Sequence, residues 1–297
     1  MKIIDDDLDR RIMFGTPPKR IVSLVPSDTL SVFALGAGAR LVGRTDYCDT
    51  PAEAAAIPSV GGTKNPRLDQ IRALEPDLVL ANKEENTKGD LEALVQDGFR
   101  VFVSFPQRAR AGIAHLARLA RMLFVEQDPT ARALIKEAYL VIDQAEKQRA
   151  QLTPLRVFCP IWMDPLMTIN GATFISDMLD LCGAQNIFAD RERRYPLAAD
   201  IGTAKPLPAE RTAGLDVRYP RVTLQEVTER QPELVLLPDE PHAFSEQDAE
   251  VFRALEIPAA KSGRVVRTGG KDICWHGARS VAGIPRLMEL LKQLRSA

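Results

Sequence analysis

The chain has 297 residues, 45% hydrophobic and 27% charged, the balance of a globular protein long enough to bury two ordinary cores. Its 39 Lys and Arg against 40 Asp and Glu leave a net charge of −1, which disfavours nucleic acid as a partner. No apolar run approaches the ~18 residues of a bilayer-spanning helix, so the chain is not expected to cross a membrane. The acidic start Met1–Arg10 lacks the apolar centre of an export signal. As written, the chain is expected in the cytoplasm, or in the periplasm or at the cell surface if a leader was removed.

The first regular pattern is Arg20–Pro26, a short apolar strand ended by proline. Ser27, Asp28 and Thr29 offer cap chemistry for a helix over Leu30–Leu35 that Gly36 and Gly38 stop. Strand Leu41–Arg44, helix Leu68–Leu74, strand Asp77–Ala81, helix Gly89–Gln96 and strand Arg100–Ser104 follow. This alternation predicts a mainly parallel sheet with helices on its faces. The helix over Gly112–Leu123 contains His115, expected at the surface or in packing. Asp128 and Pro129 then open an uninterrupted helical stretch to Leu152, ~37 Å long at 1.5 Å per residue and a candidate rigid spine.

Beyond it the grammar repeats. Leu68-x-x-Ile-x-x-x-x-Pro-Asp-Leu-Val-Leu80 matches Leu224-x-x-Val-x-x-x-x-Pro-Glu-Leu-Val-Leu236 at an offset of 156 residues. Arg20-Ile-Val answers to Arg156-Val-Phe, and Arg100-Val-Phe-Val to Arg264-Val-Val-Arg. The expected fold is therefore α/β: two Rossmann-like lobes joined by a single long backbone helix, with a ligand cleft between the lobes. The expected boundaries are an N-terminal lobe over 1–126, the backbone helix over 127–152 and a C-terminal lobe over 153–297.

Chemistry-bearing residues cluster where the strands end, which is where open α/β sheets bind ligands. In the first half these are Ser27, Tyr47, Cys48, Thr63, Lys64, Lys83, Glu84, Glu85 and Asn86. In the second they are Trp162, Tyr219, Asp239, Glu240, His242, Asp272, Trp275, His276 and Arg279. Aromatic planes with a few charges suit a large, flat, partly apolar ligand. Lys64, Lys83, Lys271 and Arg279 suit an anionic one. Glu84, Glu85, Asp239, Glu240, Cys48, His242 and His276 are possible metal ligands, but loop carboxylates more often cap helices or make ion pairs. No metal held directly by the protein and no intrinsic cofactor are expected. GxSxG, HExxH, GxGxxG and P-loop signatures are all missing, which disfavours hydrolytic and redox enzymes. The four cysteines, Cys48, Cys159, Cys182 and Cys274, form no CxxC pair and read as free thiols.

Arg20-Ile-Val-Ser-Leu-Val-Pro-Ser27, Phe33–Pro51, Val60-Gly-Gly62 and Leu68–Leu80 together resemble the helical-backbone (class III) substrate-binding proteins of ABC importers, a likeness that runs from Arg20 through nearly the whole chain. The strings Val60–Pro66, Ala81–Asn86, Leu237–Pro241 and Gly270–Arg279 are similar to a branch of that family known as helical-backbone metal receptors. The resemblance implies a non-enzymatic binding protein for a metal chelate, a corrinoid first, then a ferric siderophore or haem. It would work with an ABC permease or as an intracellular carrier. Tyr47 and Tyr219 fall where cobalamin-binding members carry cleft aromatics, while Thr63 and Asn82 replace two of their tryptophans. The importer-docking carboxylates, one per lobe, fall on Asp69 and Glu226. An apparent insert over about 196–218, between Arg194-Tyr-Pro196 and Arg218-Tyr-Pro220, departs from the family pattern. The rival reading is a cofactor-processing enzyme with Cys48 as nucleophile and His276 or Glu84 as base, which a depressed thiol pKa would favour. A third is an interaction module with a vestigial cleft.

Overall fold

A computed structural model describes residues 1–296 and divides the chain into two compact units. Unit 1 comprises Met1–Pro106, Arg110–Val141 and Trp275–Val281; unit 2 comprises Gln107–Ala109, Ile142–Cys274 and Ala282–Ala297.

Unit 1 opens with an antiparallel hairpin that the sequence did not announce, β1 (Lys2–Asp5) and β2 (Arg11–Phe14). Its turn is built by Asp6, whose carboxylate accepts from the Leu8 and Arg10 amides at 3.0 and 2.9 Å. Four strands then form a parallel sheet: β3 (Ile21–Ser23), β4 (Leu41–Arg44), β5 (Leu78–Asn82) and β6 (Val101–Ser104), in the order β4-β3-β5-β6. Between them run α1 (Pro26–Ala34), α2 (Leu68–Ala73) and α3 (Lys88–Gln96), the last capped by the Thr87 side chain on the Asp90 amide. β5 is buried at all five positions, the signature of a strand covered on both faces. Val22, Leu24, Ile71, Val79, Leu94 and Val103 form one apolar cluster around it. Helix α4 (Ala109–Met122) follows.

The start of α1 corrects the sequence reading. The helix begins at Pro26, not at Leu30, and has no side-chain cap. Proline suits the first helical position because its fixed φ is already helical and it has no N–H to leave unpaired. Ser27 and Asp28 consequently lie inside the first turn. The long helix α5 (Pro129–Arg149) is 21 residues, opened by Asp128 Oδ1 on the Thr130 amide at 2.8 Å. Its residues through Val141 group with unit 1 and those from Ile142 with unit 2.

Unit 2 repeats the architecture. Its strands are β7 (Leu155–Phe158), the short antiparallel pair β8 (Pro160–Trp162) and β9 (Met167–Thr168), then β10 (Ala184–Asn186), β11 (Leu234–Pro238) and β12 (Val265–Thr268). The parallel sheet runs β10-β7-β11-β12, the same relative order as in unit 1. The helices are α6 (Phe174–Leu181), α7 (Leu197–Asp200), α8 (Ala209–Thr212), α9 (Leu224–Arg230), α10 (Glu246–Arg253), α11 (Pro258–Lys261), α12 (Lys271–Cys274) and α13 (Ala278–Ser296). Phe158, Phe188 and Phe252 meet in its core at centroid distances of 5.4 and 5.8 Å.

The 196–218 stretch holds α7 and α8 and is anchored at its base. The buried Asp200 carboxylate accepts from Arg191 at 3.0 Å and from the Arg194 and Arg221 amides at 2.9 and 2.7 Å. A carboxylate bound by a guanidinium and two amides is a strong charge-assisted tie.

Candidate functional site

In unit 1, β3 is the strand from which the chain departs to either side, so the loops after β3 and β5 flank a topological switch point. Asn86 ties them together. Its amide donates to Leu24 O at 3.2 Å and Thr63 O at 3.0 Å, while its Oδ1 accepts from the Asn82 N–H at 2.8 Å. The predicted Thr63 and Asn86 are thus buried scaffolding for the loops. Lys64 donates to Glu84 O, and Lys83 lies 5.0 Å from the Phe105 ring centroid. Lys64, Lys83 and Glu85 are exposed, as is Tyr47 with 63% of its surface open, while Glu84 is half-buried. Lys83 and Asn86 also line a cavity of about 550 Å³ that continues past Leu8, Leu91 and Val95.

Cys48 does not have the character of a nucleophile. It is fully buried, with Thr29 Oγ1 at 3.1 Å and Thr45 Oγ1 at 3.2 Å from its sulfur. Burial pushes its thiol above the ordinary value despite these hydrogen bonds. A reactive cysteine needs the opposite environment.

The segment after α12 brings Trp275, His276 and Arg279 into unit 1. Trp275 is 7% exposed, so it serves as packing and not as an open wall; Arg279 is half-buried. Gly277 adopts a left-handed φ of 72°, and a Cβ there would come within 2.5 Å of Ser31 Oγ. Ser31 Oγ in turn accepts from the Ala278 amide at 3.1 Å. This close approach places His276 Nε2 3.0 Å from Ser27 Oγ.

Beneath that contact lie two residues that the sequence reading assigned to no site, Asp28 as a cap and His115 as a surface or packing residue. His115 is fully buried, with Nε2 2.8 Å from Asp28 Oδ1, and its ring meets that of His276 edge-on at 5.3 Å. His276 Nδ1 is 3.8 Å from Asp28 Oδ1. Burial opposes the charge on Asp28, yet the adjacent His115, with His276 and Arg118 beyond, holds its carboxyl below the usual range. Burial dominates at His276 and lowers it to about 4 despite the attraction of Asp28. Of the two expectations for His115, surface or packing, the structure takes packing: it shares the buried stripe of α4 with Leu116, Leu119 and Met122. Asp28 left no comparable trace, since a polar residue after a strand reads first as a cap.

Unit 2 presents its candidates at the end of β8, on the loop after β11, in α12 and ahead of α9. Trp162 is 43% exposed, with Nε1 donating to Asp164 O at 2.9 Å and its ring 5.3 Å from that of His242. His242 packs edge-on against Phe244 at 4.7 Å and approaches Asp248 at 3.7 Å. Asp239 Oδ1 accepts from the Gly270 amide, and Glu240 O accepts from the Cys274 thiol at 3.6 Å. Asp272 is committed to Arg286, which chelates it through two N–H groups at 2.8 Å each. Tyr219 is half-buried under Arg218 at 5.2 Å. Asp69 lies exposed in the first turn of α2. Glu226 sits in the first turn of α9, bound by Arg191 at 3.0 Å.

Relatives of known fold share this architecture. A periplasmic vitamin B12 binding protein, BtuF of Vibrio cholerae, superposes with a TM-score of 0.75 at 21% identity, over 95% of this chain and 99% of its own. A periplasmic heme-binding protein, RhuT of Roseiflexus sp. RS-1, gives 0.73 at 19% identity, over 93% and 98%. In sequence, a vitamin B12-binding protein of Photorhabdus laumondii is 29% identical over 74% of this chain and 70% of its own length. One from Yersinia pestis is 30% identical over 63% and 67%. The periplasmic binding protein family model matches residues 21–271, and the chain therefore belongs to the periplasmic binding protein family.

Proposed function

We propose that this protein is a substrate-binding protein for a metal chelate, a corrinoid first and a ferric siderophore or haem next, and not an enzyme. The observation that carries this reading is the likeness over about three-quarters of the chain to relatives named for vitamin B12. Each unit supports it separately: unit 1 presents Tyr47 as an open aromatic face on the segment after β4 that also carries Lys64, with Lys83 after β5, and unit 2 presents Trp162 at the end of β8 with its ring 5.3 Å from that of His242. Stacking planes with cationic groups suit a macrocycle bearing carboxylate or amide arms. Asp69 and Glu226 are the carboxylates we assign to docking on an ABC permease, an intracellular carrier role being the alternative. Where the chain works in the cell follows from this choice of partner. Burial and the raised thiol at Cys48 count against the enzymatic reading.

The test is the visible spectrum of the purified protein after incubation with cobalamin, haem or a ferric siderophore and then desalting. Retained colour at about one equivalent, with quenched Trp162 fluorescence, is the expected result. Loss of all colour from folded protein would overturn the chelate reading.

A further inference from the structure

Three elements of unit 1, remote from one another in sequence, deliver metal-ligating groups to one point. Asp28 comes from the first turn of α1, His115 from the middle of α4 and His276 from the segment ahead of α13. Their donor atoms all lie within 4.8 Å of one another, and all three side chains are buried. A carboxylate and two imidazoles are a costly set to remove from water unless something binds them. The Asp28–His115 hydrogen bond answers only half of the carboxylate, for Asp28 Oδ2 has no hydrogen-bond partner among the described residues.

We propose that Asp28, His115 and His276 form a site for one zinc-type divalent cation. The donor set selects the metal class: two imidazole nitrogens and one carboxylate oxygen suit a borderline ion such as Zn²⁺, whereas Ca²⁺ and Mg²⁺ take mainly oxygen ligands. Bonds of about 2.0–2.2 Å set the donors of a tetrahedral centre roughly 3.3–3.6 Å apart. The two distances to Asp28 Oδ1, 2.8 Å from His115 and 3.8 Å from His276, bracket that spacing, and the three donors lie within 4.8 Å of one another, so loading draws them together by small movements. Asp28 Oδ2 or a water completes the coordination.

The surrounding shell orients the ligands. Ser27 Oγ, 3.0 Å from His276 Nε2, turns the Nδ1 edge of that ring towards Asp28. Phe102 stacks on His115 at 5.9 Å and fixes its plane. The cation nearest the site, Arg118, reaches to 3.4 Å of His115 Nδ1, and Asp7 neutralises it through contacts of 2.6 and 2.8 Å. A metal at His115 Nε2 would take the place of the proton that this nitrogen gives to Asp28; the proton moves to Nδ1, which gives up accepting from Arg118, and His115 stays a neutral ligand. The site goes beyond the chelate function and does not rest on it, since this ion is resident in unit 1 and held by protein alone.

The full-length protein, stripped with EDTA and re-equilibrated with Zn²⁺ or Co²⁺ alone, is expected to retain one metal per chain after desalting and to melt at a higher temperature. The Co²⁺ form should show visible d–d bands of a low-coordinate nitrogen–oxygen site without the near-ultraviolet charge-transfer band of a thiolate. His276→Gln, which keeps a partner for Ser27, and Asp28→Asn should each weaken retention by at least about 100-fold while circular dichroism shows the fold intact. Less than a tenth of an equivalent on folded wild-type protein would overturn the site, and so would unchanged retention in both variants. Chelate binding, measured in parallel on the same samples, separates the two conclusions: zinc without colour sinks only the chelate reading, colour without zinc only this one.

Discussion

Gly270 follows β12 and lies so close to the loop after β11 that a Cβ would stand 2.7 Å from Glu240 N and 3.0 Å from Glu240 O. Backbone cannot yield there as a flexible side chain would. Gly270→Ala is therefore expected to cost about 1–3 kcal/mol and to push apart two loops assigned to ligand contact. Thermal melting and chelate titration would check this, and an unchanged midpoint would refute it. The thiols give a second prediction. Burial raises Cys159 and Cys182 to about 12 and lifts Cys48, while Cys274 is only half-buried. With a thiol-specific chromogenic reagent, one equivalent should react in the native protein and the other three only on unfolding. Fast labelling of Cys48 would revive the catalytic reading. At this scale the sequence showed which loops carry polar residues, and two of those it named, Ser27 and His276, meet at 3.0 Å. It did not show Asp28 and His115 as partners, because a buried polar pair exists only once two helices pack.

The short elements owe their ends to local chemistry, and two can be tested there. Helix α10 starts with a capping box in which Ser245 Oγ accepts from the Asp248 amide at 3.2 Å and Asp248 accepts from the Ser245 amide at 2.7 Å. Ser245→Ala should lower stability by about 1 kcal/mol, read by chemical denaturation. The N-terminal hairpin depends instead on Asp7, whose carboxylate receives Arg118 and the Phe105 amide. Burial opposes its charge, but the Arg118 and Phe105 hydrogen bonds outweigh it and depress the folded pKa. A depressed acid stabilises the fold fully above the unfolded pKa of about 4, and this contribution fades as pH falls through the lower folded value. Asp7→Asn should cost about 1–2 kcal/mol at pH 7 and flatten the acid limb of the stability profile. An acid limb identical to wild type would count against it. The hairpin escaped sequence reading because its two four-residue strands flank an acidic turn and lack a strict apolar alternation. The parallel strands were legible, since their unbroken apolar runs announce burial on both faces.

Across the whole chain, the repeated motif 156 residues apart corresponds to α2–β5 in unit 1 and α9–β11 in unit 2, and both sheets place their strands in the same order. Fold class was readable because such a repeat constrains topology as well as composition. Membership of unit 1 was not, because no local pattern foretells that Trp275–Val281 packs with residues placed far earlier. That return has a consequence for biosynthesis. Unit 1 lacks His276 and its anchor on Ser31 until the ribosome has passed residue 281, more than a hundred residues after Val141. At roughly 5–20 residues per second, the first half waits on the order of ten seconds before its last piece exists. A nascent chain halted between Ile142 and Cys274 therefore carries an N-terminal half without its last segment, a substrate for chaperones, and unit 1 matures only once most of unit 2 has been made.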